Sequence, residues 1–107
     1  MNENTRWRRR PGLPWREEQD AAREALAALE AGQDAGGEGT LLIVERGRVT
    51  ELNLLGGEIW KLCDGSRDAD AIVETLLPRF EVERDELAAD VRAFLADLAA
   101  RGWVVPA

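Results

Sequence analysis

Four consecutive branched apolar residues, Leu41-Leu42-Ile43-Val44, are followed by Arg46-Gly47-Arg48 and then by Val49-Thr50-Glu51-Leu52. Successive side chains of a strand point to opposite faces, so an unbroken apolar run needs cover on both sides. The first segment is therefore expected as a central strand. The second alternates less cleanly and suits a position nearer an edge. The Arg-Gly-Arg step between them supplies the turn, which predicts a hairpin over residues 40–53.

Residues 53–105 supply the helices that such a sheet must pack against. Asn53 is an N-cap for Leu54 to Cys63, where Leu55, Ile59, Leu62 and Cys63 share a face and Asp64-Gly65 forms a stop. Gly56 and Gly57 make that helix dependent on packing. Ser66 and Asp68 begin a second helix, Ala69 to Leu77, with Ile72, Val73, Leu76 and Leu77 on one side and Pro78 at its end. The last helix runs from about Glu83 to Arg101 on Leu87, Val91, Phe94, Leu95 and Leu98, and Gly102 stops it so that Trp103, Val104 and Val105 fold back.

The region before the hairpin is different in character. Pro11, Gly12 and Pro14 exclude a helix from residues 1–16, a basic arm in which Leu13 to Arg16 suits an extended edge strand. Residues 17–31 have high helix propensity with Ala22, Leu26 and Leu29 at helical spacing, and residues 33–39 form a Gly-rich link. The expected architecture is α+β: a winged helix-turn-helix with a small antiparallel sheet of two or three strands, a three-helix bundle, and an extra Ala-rich helix inserted near the N-terminus. Its expected parts are an arm or edge strand (1–16), a helical insertion with its link (17–39) and the winged helix-turn-helix domain (40–107).

Composition narrows the chemistry. The 107 residues include no histidine and one cysteine, which removes the imidazole acid/base, internal disulfides and most soft metal sites. Cys63 lies on an apolar helix face and reads as core. Glu81, Glu83, Asp85 and Glu86 cluster where a helix dipole favours acidic side chains, and read as a solvated cap. No metal or cofactor is expected, and neither is catalysis. No apolar stretch approaches the roughly 20 residues of a membrane helix, and the arginine-bearing N-terminus lacks an apolar signal core, so a cytoplasmic location is expected.

The net charge is −7, although the first 16 residues carry Arg6, Arg8, Arg9, Arg10 and Arg16 against Glu3. Interleaved with Trp7 and Trp15, those arginines suit base stacking and phosphate contact, or docking on the acidic remainder of the same chain. The last helix, bearing Glu83, Asp85, Glu86, Asp90 and Asp97, would sit poorly in a major groove. The edge strand is the stronger candidate, because its backbone N–H and C=O groups can pair with another extended chain.

The stretch RVTELNLLGGEIWKLCDGSRDADAIVETLLPRF (Arg48 to Phe80), followed by DVRAFLADLAARGWV (Asp90 to Val104), resembles the PqqD-like family of precursor-peptide recognition elements. The block from Glu51 to Gly65 is its most specific part. The resemblance implies a non-catalytic adaptor that takes the leader of a ribosomally made precursor as an added strand and presents it to a modifying enzyme, often an iron–sulfur radical-SAM enzyme. It assigns Val49, Thr50, Glu51, Leu52 and Asn53 to backbone pairing, and Leu87, Val91 and Phe94 to a groove wall. Plain core packing is the alternative for the last three. The 17–39 insertion departs from the family pattern. Its Ala/Leu stripe leaves self-association as a homodimer open. The competing expectation is a DNA-binding regulator that uses the basic arm.

Overall fold

The computed structural model describes residues 4–33 and 39–107. Its elements are β1 (Trp7–Arg9), β2 (Trp15–Glu17), α1 (Gln19–Glu30), β3 (Leu41–Glu45), β4 (Arg48–Leu52), α2 (Leu54–Leu62), β5 (Asp64–Arg67), α3 (Ala69–Leu76), a 3-10 turn (Leu77–Arg79), α4 (Arg84–Ala100) and β6 (Val104–Pro106). The protein is mixed α+β, with four helices and two three-stranded antiparallel sheets among the described residues. The predicted 33–39 link falls mostly on residues 34–38, outside the described residues. The chain divides into two units, Gly12–Glu58 and Met1–Pro11 with Ile59–Ala107.

In the unit Gly12–Glu58 the strand order is β2-β3-β4. The apolar run is central, as its sequence requires: Leu41 and Ile43 are fully buried, and β3 has a neighbour on each side. Arg46 (φ 51°) and Gly47 (φ 77°) both take left-handed backbone, the paired conformation whose twist matches a two-residue hairpin turn. Arg48 therefore begins β4 rather than ending the turn. Asn53 Oδ1 accepts from the Gly56 N–H at 2.9 Å, which makes it the expected cap of α2. A Cβ on Gly57 would lie 3.2 Å from Thr40 Oγ1 and 3.3 Å from Leu41 Cβ, so the glycine permits close approach of this turn to β3.

In the other unit the strand order is β5-β1-β6. Here the structure corrects the expectation of a single small sheet and a basic arm. Trp7–Arg9 is the central strand of a second sheet, paired with β5 and β6, and Trp7 is buried. A tryptophan among four arginines reads locally as an arm. Its strand partners lie far along the chain, where no local pattern announces them. Asp64-Gly65, expected only as a helix stop, opens β5, and the fold-back at Trp103–Val105 becomes β6.

Asp68 caps α3 through Oδ1, which accepts from the Ala71 N–H at 2.9 Å. The core of this unit draws Ile72, Val73 and Leu76 from α3 and Leu87, Val91, Leu95 and Leu98 from α4, at the spacing of one helical stripe. Ion pairs Arg84–Glu74 and Arg92–Asp70 join the two helices at the surface. No helix among the described residues is long and apolar enough to cross a membrane.

Candidate functional site

The hydrogen-bond directions in β3 decide which groups of β4 face outward. Val44 N–H donates to the Pro14 carbonyl at 3.0 Å and Glu18 N–H to the Thr40 carbonyl at 2.8 Å, so the even-numbered residues of β3 turn their backbone toward β2. Leu41, Ile43 and Glu45 consequently turn theirs toward β4, where their partners are Leu52, Thr50 and Arg48. That leaves the N–H and C=O of Val49 and Glu51 on the open side of the strand. Among the described residues no turn, loop or cap hydrogen bond uses these four groups, and the β3–β4 register leaves them facing away from β3.

Side chains follow the same alternation. Val49 and Glu51 stand on one face with Val44 and Leu42, their cross-strand partners. Thr50 and Leu52 stand on the other with Ile43 and Leu41, the buried face. Val49 is 60% exposed and Val44 38%, an apolar pair at the surface next to an exposed Glu51.

The other strand edges are less suited to taking a partner. β2 has three residues, directly follows Pro14, and carries Arg16 in an ion pair with Glu18. β6 ends in Pro106, which has no N–H to give. β5 is tied up locally, with Asp64 accepting from Ser66 N–H and Oγ and from Arg67 Nη1. β4 offers five residues without proline.

The sequence-predicted residues thus fall into distinct groups. Among the described residues nothing pairs with the outward backbone of Val49 and Glu51, whereas Thr50 and Leu52 use theirs within the sheet. Asn53 is occupied as the cap of α2, its carbonyl accepting from Gly57 N–H at 2.8 Å. Leu87 and Val91 lie in the other unit, fully buried on α4, and Phe94 beside them is half-buried. The free register of β4 could not be read from sequence, because it depends on which side of β3 each carbonyl takes.

Two titratable groups, Cys63 and Asp64, are strongly shifted. Burial pushes the Cys63 thiol up to about 12, opposed by the nearby Arg9 charge. The Asp64 carboxyl is held down to about 2 by its hydrogen bonds from the Ser66 hydroxyl and backbone, with Arg67 adding to them. No group of three or more His, Cys, Asp or Glu among the described residues is placed to hold a metal ion.

Two solved structures share this fold. It matches a lasso peptide synthetase B1 complexed with the leader peptide at TM-score 0.62, with 21% identity, over 94% of this chain and 99% of that one. It also matches TbiB1 in complex with the TbiA(beta) leader peptide at TM-score 0.51, with 28% identity, over 60% of this chain and 74% of the other.

Residues 38–104 match the family model described as coenzyme PQQ synthesis protein D (PqqD), and the chain belongs to that family. A PqqA binding protein of Rhodopseudomonas palustris strain TIE-1 is 42% identical over 60 residues, 56% of this chain and 59% of the relative. That of strain HaA2 is 46% identical over 50 residues, 47% of this chain and 49% of the relative. The chain thus spans about half to three-fifths of the length of these relatives.

Proposed function

We propose that this protein binds the leader region of a ribosomally made precursor peptide as a strand added to β4, and delivers it to a peptide-modifying enzyme. The observation that carries the reading is the open side of β4, a proline-free edge where Val49 and Glu51 present N–H and C=O groups that none of the described residues pairs with. The relatives named as PqqA binding proteins and the leader-bound structural neighbours support the same reading.

Four backbone hydrogen bonds of about 1 kcal/mol each supply part of the roughly 8 kcal/mol that micromolar binding requires. Side-chain contacts must supply the rest. Of the second proposed set, Leu87, Val91 and Phe94, only Phe94 retains exposed surface, and it is the residue whose substitution tests that set.

The finer parts of the proposal rest on the family: a winged helix-turn-helix arrangement, a radical-SAM enzyme as recipient, a cytoplasmic setting and a role without catalysis. Self-association through α1 is a separate proposal that rests on the Ala/Leu stripe of the 17–39 insertion. The competing DNA reading needs Arg8, Arg9 and Arg10 to reach phosphates. Arg9 is instead bonded to the Trp60 and Lys61 carbonyls, and Arg10 to that of Gly102.

The test is fluorescence anisotropy of a labelled leader peptide encoded beside this protein, competed with unlabelled leader or a DNA duplex. Saturable micromolar binding displaced only by leader is expected. Displacement by duplex, or no binding, would reject the proposal.

A further inference from the structure

Strand addition uses the backbone of β4 and gives no charged partner to the Glu51 carboxylate, which lies beside Gly39. Glu51 is exposed, and its cross-strand neighbour on the same face is Leu42, which offers it no charge. Arg16, the next residue in that row across β3, is committed to Glu18 at 2.8 Å. No Lys or Arg among the described residues pairs with Glu51. Two positions away, Val49 is the most exposed large apolar residue on the same face, with Val44 behind it.

A strand laid against β4 must bond at Val49 and Glu51, since these are the residues whose backbone faces outward. The peptide residues opposite them are two apart and share the face on which Val49 and Glu51 stand. We infer that the bound peptide carries a lysine or arginine opposite Glu51 and an apolar residue, preferably β-branched or aromatic, opposite Val49. Glu51 then acts as a specificity-determining side chain that sets the register of the added strand. A one-residue slip would turn both peptide side chains to the other face, and a two-residue slip would set the apolar residue against the carboxylate or take the cation off it. The inference rests on strand addition at β4, and its test separates the two.

The experiment is selection of a displayed library of random 12-residue peptides on the full chain and on Glu51→Lys, followed by anisotropy of one synthesised, labelled binder. The expected consensus on the unaltered chain is a basic residue two positions from an apolar one. On Glu51→Lys the basic position becomes Asp or Glu. For the single binder, Glu51→Gln weakens affinity about threefold to fivefold and Glu51→Lys about tenfold, with restoration when the peptide's cation is replaced by Glu.

A binder that loses affinity in folded Val49→Pro but is indifferent to Glu51→Lys keeps strand addition and overturns the charge pairing. Binders that withstand Val49→Pro, or a library that yields none, overturn both.

Discussion

Arg9 Nη1 donates to the carbonyl oxygen of Lys61 at 2.8 Å, and the same nitrogen reaches the Trp60 carbonyl at 3.1 Å. These carbonyls belong to the last turn of α2, where helical partners run out and the dipole favours a cation. A residue that reads as one of four arginines in a basic arm is thus a tether between β1 and the helix end. Its own N–H donates to the Cys63 carbonyl at 2.9 Å, closing the same corner.

Arg9→Ala is therefore expected to lower unfolding free energy by about 1–2 kcal/mol, while Arg8→Ala, at an exposed position, stays within about 0.5 kcal/mol. Urea titration followed by circular dichroism measures both. Equal effects would show that the arginines act only as surface charge.

Proline substitution at adjacent positions of β4 is expected to have opposite consequences. Thr50 N–H points to β3, so Thr50→Pro breaks the sheet and costs about 1–3 kcal/mol. Glu51 N–H points outward, so Glu51→Pro keeps the fold and loses leader affinity. Thermal unfolding and peptide anisotropy on the two variants read these outcomes, and a folded Glu51→Pro with undiminished affinity would remove β4 as the binding edge.

Cys63 is fully buried, and its Sγ donates to the Ile59 carbonyl at 3.3 Å. Burial raises the folded thiol from 9.0 to about 12, so the unfolded chain releases its proton first. The stabilising contribution is complete below about pH 9 and is lost as pH rises toward about 12. At about pH 8 the thiol is expected to react with a disulfide reagent only at the rate of unfolding. Fast reaction in native buffer would contradict the burial.

Asp68 holds the start of α3 through the Ala71 N–H, and Asp68→Ala is expected to cost about 1 kcal/mol, with Asn in its place recovering most of it. Chemical denaturation of the three proteins decides this. A neutral Asp68→Ala would mean that packing of Ile72, Val73 and Leu76 alone fixes the helix start.

Local chemistry determined much of this protein. The four-residue apolar run demanded a central strand, Asn53 and Asp68 marked two helix starts, and the Leu87-Val91-Leu95-Leu98 spacing marked the packed side of α4. These signals are legible because each depends on residues within a few positions of one another. The less regular alternation of Val49 to Leu52 singled out the candidate edge, and the family resemblance carried by Arg48 to Phe80 assigned leader pairing to it.

Tertiary structure alone decided the rest. Trp7 pairs with Pro106 and with Arg67, which turned a basic arm into the centre of a second sheet. Register against β2 and β3 left Val49 and Glu51 outward while Thr50 and Leu52 bond inward. Both outcomes depend on hydrogen bonds between distant segments, whose partners carry no mark in the neighbouring sequence and are chosen only when the strands meet.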